Sequence, residues 1–519
     1  MANRAFKITP VIGAGAGAIL LLLALILGPL WALLWRAEGP ATLGVADWAA
    51  VRFTVLQATL SAGLSVGLAV PVARALARRQ FIGRGVLITL LGAPFILPVI
   101  VAVMGLLAVF GRGGIISAML GWIGLPPIHI YGLHGVVLAH VFFNLPLATR
   151  LILQGWLMIP SERFRLAASL GIAGRDVGRI LERPMLRDVL PGAVMVVFLI
   201  CLTSFAVALA LGGGPKATTV ELAIYQAFRF DFDLGRAALL AMVQFGMGAV
   251  AAMVMLWVAV PPTMGSGLDR TVERLDAPVA WWDGILLAVI SLFLVTPLLM
   301  ILFDGVPNLF SLPSSVYLAA GRSLGVALMS TLIAVVLALI LALMVVRLRR
   351  GAVLVESIGY LVLAASPLVI GAGLFIALFP ILDPVALALP LTALVNALMS
   401  LPFALRTLVP AVRDIEASYG QLADSLSLTG WARMRLVSLP RLRRPLGFSA
   451  GLAAALSMGD LGVIALFSDP ESATLPLQMY RLMSAYRMDQ AAGAAVLLLG
   501  MSLMLFWIFD RGGRANADA

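Results

Sequence analysis

Cysteine, lysine and histidine are nearly missing from this chain of 519 residues, which holds one cysteine (Cys201), two lysines (Lys7 and Lys216) and three histidines. A single cysteine inside an apolar run excludes a disulfide framework and a cysteine-based metal site. Neither lysine stands in a G-x-x-x-x-G-K-[ST] loop, so the chain carries no phosphate-binding engine of that kind. His129, His134 and His140 fall within or beside one apolar run without a carboxylate cluster, and no metal site is expected there. No nucleophile, base or metal set recurs at chemical spacing, so no catalytic residue is named and the chain reads as a non-enzyme. Charge is scarce as well, at 12% of residues against 62% hydrophobic. Those proportions exclude a chain folded around one water-surrounded core.

What is there is apolar sequence in long runs. Runs of about 20 residues occupy 11–35, 53–77, 86–110, 130–149, 189–211 and 237–260, then 284–303, 323–346, 354–379, 385–405, 446–467 and 491–509. The expectation is an all-α polytopic membrane protein of about 12 transmembrane helices, with lipid as its solvent. The first run is much longer than the roughly 7–15 residues of a signal-peptide core and is expected to remain as a helix. The net charge of +11 does not point to nucleic acid, because the arginines lie in short loops between apolar runs, where they orient helices. With a cytoplasmic N-terminus, alternate loops collect about 27 of the 36 basic residues on one side, which the positive-inside rule assigns to the cytoplasm. Both termini are then expected inside.

The halves resemble each other. "ATLSAGLSVGLAVPVARALAR" near Ala58 matches "ALMSTLIAVVLALILALMVVR" near Ala327 in pattern, and Pro98 and Pro367 fall at the same offset. Such an internal repeat with an even number of spans per half implies two parallel six-helix units and a pathway between them. The expected division is 1–265, a cytoplasmic linker at 266–283 in the loop-like stretch after Pro261, and 284–519.

After the fourth and tenth runs the same segment occurs twice, at about 160–187 and 416–443. At one constant offset Pro146 pairs with Pro402, Arg150 with Arg406, Ala167 with Ala423, Leu170 with Leu426, Gly174 with Gly430, Arg179 with Arg435 and Pro184 with Pro440. Each copy reads as a short helix, a break and another short helix. In the first, Ser161 is the expected N-cap, Leu166 and Leu170 share a face, and Gly171 and Gly174 break the helix. A small apolar ridge ringed by arginines suits docking into a partner's groove.

These segments resemble the "EAA" loop of binding-protein-dependent ABC permeases. Ala167, Gly171 and Pro184 match its spacing in the first copy, and Ala423 and Pro440 in the second, where Ser427 replaces the glycine. The motif's glutamate is replaced by Arg165 and Gln421. The resemblance implies a type I, MetI-like importer permease of the bacterial inner membrane. Its implied coupling residues are Arg165, Ala167, Ala168, Leu170, Gly171, Gly174 and Pro184, with Gln421, Ala423, Leu426, Gly430 and Pro440. It further implies two copies of an ATP-binding subunit, which would carry the ATP and Mg, while this chain itself holds no cofactor.

The strings "LGGGPKATTVELAIYQAFRFDFDLGRAALLAMVQ" and "HVFFNLPLATRLILQ" resemble the thiamine and thiamine-pyrophosphate permeases of bacteria, which implies a periplasmic thiamine-binding protein as partner. Similar fused permeases for ferric iron are the runner-up. An ion-coupled secondary transporter is the alternative of another class, and it would need mid-membrane carboxylates that the runs scarcely supply. The first string recurs in the second half, where Thr474, Tyr480, Arg487 and Asp489 are set opposite Thr219, Tyr225, Arg229 and Asp231. Tyr225, Arg229, Asp231, Tyr480, Arg487 and Asp489 are therefore the docking candidates for the binding protein, against the alternative of aromatics resting at the headgroups. Within the apolar runs the clearest ionisable residue is Asp460 in "SMGDLGVIALF". A carboxylate at that depth is costly enough to be a pathway candidate, against an interhelical hydrogen bond or cap as the plainer role.

Overall fold

The computed structural model describes residues 10–37, 42–92, 96–172, 174–257, 281–348, 351–362, 365–467 and 472–514. The expected linker at 266–283 lies outside them as far as residue 280. The first half comprises α1 (Pro10–Ala37), α2 (Val45–Arg78), α3 (Arg84–Leu90), α4 (Val99–Phe110), α5 (Ile115–Trp122) and α6 (Leu133–Leu157). It continues through α7 (Ser161–Ser169), α8 (Arg175–Val177), α9 (Arg183–Leu202), α10 (Ala206–Leu211), α11 (Val220–Arg229) and α12 (Leu234–Trp257). The second half repeats the order in α13 (Trp281–Gly305), α14 (Ser314–Arg347), α15 (Ala352–Leu361), α16 (Pro367–Leu378) and α17 (Ala388–Ser425). It closes with α18 (Gly430–Arg433), α19 (Leu439–Met458), α20 (Gly462–Phe467), α21 (Leu475–Ser484) and α22 (Met488–Arg514).

Eleven stretches among the described residues are long and apolar enough to cross a membrane, with α16 as a shorter apolar helix. The chain is a multi-pass, all-α membrane protein. Four of the expected runs are not single helices. The third and ninth are divided between α3 and α4 and between α15 and α16, and the fifth and eleventh are interrupted at 203–205 and 459–461. Pro98 caps α4 while Pro367 is the first residue of α16, one register later than the sequence match suggested. Proline has no N–H to give, and at a helix start that N–H has no partner to lose, so each run restarts there.

The first helix of each half is exchanged. α1 packs on α14 and α16 of the second half, and α13 packs on α2 and α4 of the first. Two glycines permit the crossing: a Cβ on Gly105 would stand 2.5 Å from the Pro297 carbonyl oxygen, and one on Gly373 would stand 2.5 Å from that of Pro29. Arg78 and Arg79, at the end of α2, grip Asp283 at the start of α13 with N–O distances of 3.1 and 2.8 Å. These groups are largely shielded from solvent, so the ion pairs tie the exchanged helix down more firmly than exposed pairs would.

A second twofold-related pair of contacts anchors α11 and α21. The first N–H of α11, Val220 N, donates to Thr54 Oγ1 at 2.9 Å, and the first N–H of α21, Leu475 N, donates to Ser323 Oγ at 2.8 Å. Both groups are buried, and helix-start N–H groups have no partner within their own helix. Thr54→Val and Ser323→Ala are each expected to lower stability by about 1–3 kcal/mol, the range for orphaning a buried donor. Their effects should add, since the sites are remote from each other. Thermal melting of the purified singles and the double variant measures this, and equal melting temperatures would show that water reaches these N–H groups.

Candidate translocation cavity and coupling surfaces

The two ends of α2 mark the two ends of the molecule. Thr54 lies beside α11, and Arg74, about 30 Å further along the helix axis, pairs with Glu182 at 2.9 Å, just before α9. The duplicated segments therefore gather at the Arg74 end and the paired α11 and α21 regions at the other.

The duplicated segments agree in backbone detail. Gly171 N bonds Ala168 O at 3.1 Å and Ile172 N bonds Ala167 O at 2.9 Å. In the second copy Ser427 N bonds Asp424 O at 3.0 Å and Leu428 N bonds Ala423 O at 2.9 Å. Both are left-handed helix stops of the kind glycine favours. Gly171 has φ +70° and Ser427 φ +52°, so the serine has kept the turn at a steric cost that glycine avoids. Gly174 and Gly430 share a second left-handed turn. Pro184 and Pro440 each sit in the first turn of the following helix.

Two expectations change here. Ser161 opens α7 rather than capping it, since Pro160 holds the cap position and the Ser161 hydroxyl bonds Glu162 at 3.3 Å. The second copy has no separate first helix: α17 runs unbroken from Ala388 to Ser425. Glu416 stands where the first copy has Pro160, so at this position the ladder keeps an N–H that the first copy lacks. Arg433 then braces the long helix through Glu416 and Asp424, both at 2.7 Å.

Each segment buries one side and shows the other. Phe164, Ala167 and Ala423 are buried, while Leu166, Leu170 and Ile180 are 60%, 66% and 54% exposed and their counterparts Leu422, Leu426 and Leu436 are 56%, 61% and 59% exposed. Three matched apolar side chains in each copy thus face outward from a basic surface. Arg165, Gly171, Gly174, Pro184, Gln421, Gly430 and Pro440 are exposed around them, and Ala168 is half-buried.

Between the halves the interrupted helices leave a cavity of about 390 Å³. The breaks at 203–205 and 459–461 face it together with the starts of α4 and α16. Its polar groups are His140, Asn144, Thr203, Ser204, Glu221 and Asp460. His140 shares hydrogen bonds with Ser61 at 3.2 Å and Ser204 at 2.8 Å. Asn144 donates to the His140 carbonyl at 2.9 Å and contacts Cys201 Sγ at 3.3 Å, a structural role. At the coupling offset Asn396 corresponds to His140 and Asp460 to Ser204, so the same framework carries a hydroxyl in one half and a carboxylate in the other. Asp460 Oδ1 accepts from Gly462 N at 3.2 Å, and Oδ2 is buried without a hydrogen bond.

The sequence does not single out Glu221, because "TTVELAIYQ" reads as an external loop. It is an amphipathic helix instead, with Glu221 wholly buried on the cavity wall beside Ser366 and Gln244, and neither carboxylate oxygen is hydrogen-bonded. The apolar neighbours Val220, Leu222, Ala223 and Ile224 are the available signal.

The same burial corrects the docking candidates. Tyr225 is buried, its ring edge-on to Phe205 at 5.3 Å and Phe230 at 5.6 Å, and Tyr480 and Arg229 are half-buried. Asp231, Arg487 and Asp489 are exposed, with Asp231 paired to Arg236 at 2.9 Å. The register also shifts. The left-handed residues Phe232 (φ +51°) and Tyr486 (φ +58°) coincide, which sets Arg487 against Asp233 and Asp489 against Gly235, not against Arg229 and Asp231. Phe232 and Tyr486 are 79% and 92% exposed, and they stand as twofold-related aromatic tips.

Over 516 residues, 96% of each chain, the sequence is 39% identical to the Thiamine transport system permease protein ThiP of Escherichia coli strain K12. The chain belongs to the ThiP family. The Brucella abortus strain 2308 member is 38% identical over 521 residues, covering 98% of this chain and 96% of that one. The Haemophilus influenzae member is 35% identical over 471 residues, covering 88% and 87%. No family model matches. Membership of the ThiP family covers both halves, the exchanged helices and the central cavity alike.

Proposed function

We propose that the chain is the membrane-spanning permease subunit of an ATP-driven importer that carries thiamine and its phosphates across the bacterial inner membrane. The near full-length likeness to thiamine transport permeases carries this reading. The duplicated coupling segments support its mechanism. Their matched apolar ridges, Leu166, Leu170 and Ile180 against Leu422, Leu426 and Leu436, suit two copies of one ATP-binding subunit. Closure of those subunits on ATP would rock the halves about the cavity between them. At the other end Phe232, Tyr486, Arg487 and Asp489 offer exposed aromatic and charged groups of the kind enriched at protein interfaces, to meet the two lobes of a thiamine-binding protein. The arginine-rich coupling end faces the cytoplasm on this reading, as do both termini.

ATPase activity of the complex with its binding protein in lipid tests it, with thiamine, thiamine pyrophosphate or ferric iron supplied. Stimulation by the thiamine compounds alone is the expected result. Stimulation by iron would replace the substrate, and failure to bind any ATPase would sink the importer reading.

A further inference from the structure

We infer that the central cavity is a transit site for an organic cation, with Glu221 and Asp460 as its counter-charges. The inference rests on the importer reading and adds to it a ligand site within the permease. A cavity of about 390 Å³ lies in the range of roughly 300–1,000 Å³ that small-molecule sites occupy. Both halves build it, at the junction where rocking would open one face and close the other.

The chemistry of the wall is one-sided. It carries two carboxylates from opposite halves and no lysine or arginine among its described lining residues. Glu221 is wholly buried with both oxygens free of hydrogen bonds, and half-buried Asp460 holds one oxygen to the Gly462 N–H while the other is shielded from solvent without a hydrogen bond, with Asn396 the polar side chain beside the carboxylate. Buried carboxylates in a membrane bundle are costly unless something offsets them. A passing cation does so, and in its absence Ser366 and Gln244 are the polar groups that face Glu221. The remaining wall supplies aromatic side chains, Phe143, Phe205 and Phe403. Aromatic faces attract cations and stack on flat rings. A positively charged heteroaromatic ring of thiazolium type fits all three features, namely size, charge and flatness. The ring is shared by thiamine and its phosphate esters, so the site reads the part of the substrate that they have in common.

The test is equilibrium binding of radiolabelled thiamine to the permease–ATPase complex without binding protein, compared with an uncharged isostere whose five-membered ring lacks the quaternary nitrogen. Wild type is expected to prefer thiamine by at least about tenfold, equal to about 1.4 kcal/mol. Glu221→Gln and Asp460→Asn should each bring the ratio of affinities towards one while binding of the isostere persists. A purely structural glutamate would change both affinities together and leave the ratio alone. Asp460→Asn keeps an oxygen for the Gly462 N–H, so it decides the question if Glu221→Gln fails to fold. An unchanged ratio in folded variants, equal affinity in wild type, or no saturable binding by wild type would each overturn the site. Stimulation of ATPase by thiamine-loaded binding protein reports the importer reading separately. Its absence sinks that reading, whereas stimulation together with an unchanged ratio sinks the cavity site alone.

Discussion

Replacing Leu166 and Leu422 together by glutamate is expected to abolish recovery of the ATP-binding subunit with the permease. Both leucines stand proud of a basic surface at the same position in the two segments, 60% and 56% exposed. Neither side chain belongs to the buried core. If each fills an apolar groove of its partner, burial contributes about 1.5–3 kcal/mol per side chain. A charge in the same groove adds a desolvation penalty on top. Affinity per site should fall by roughly 10–100-fold or more. Each single substitution should leave one docked subunit and a reduced ATPase, because two bound copies must close on each other. Pull-down stoichiometry separates these outcomes. Full recovery of both subunits by the double variant would show that the ridges do not dock.

The second large effect is expected at the helix exchange. Valine at Gly105 or Gly373 places carbon within 2.5 Å of a backbone carbonyl oxygen on the crossing helix, and a backbone cannot swing aside as a flexible side chain does. Overpacking of this kind costs about 1–3 kcal/mol at an ordinary core site, and more against rigid main chain. The double variant loses both crossings at once. With a protease site inserted into the segment between α12 and α13, the two cleaved halves of the wild-type protein should co-elute on size exclusion, held by α1 and α13. The halves of Gly105→Val/Gly373→Val should separate. Co-elution of the variant halves would mean that the helices shift to make room.

Much of the architecture is readable in the order of residues, for definable reasons. Lipid imposes a length on every apolar run, and duplication repeats one segment at a constant offset, so the spans, the repeated segments and the apolar side chains they expose can all be found. What escapes depends on backbone choices that hydropathy does not encode. Residues 203–205 and 459–461 interrupt helices inside continuous apolar sequence, and only the packing of α10 and α20 against neighbours reveals the break. The first helix of the duplicated segment starts after Pro160 in one copy and runs on through Glu416 in the other, a difference visible only once the two copies are aligned residue by residue. Asp460 is legible because it is conspicuous in its run. Glu221 is not, because a short amphipathic helix with a carboxylate resembles a loop until its burial is known. Tyr225 misleads for the same reason in reverse, as an aromatic of interface type that in fact fills the space beside Phe205.

The exchanged helices also set a timetable for the nascent chain. α1 emerges first, yet much of its packing surface, on α14 and α16, is not made until the ribosome has passed Leu378. At about 5–20 residues per second that leaves the first helix lodged in lipid, with Pro29 facing no Gly373, for some tens of seconds. A stalled or truncated product therefore leaves this crossing site unmatched. Completion of the second half is what matches it, so the clasp that joins the halves also marks the chain as finished.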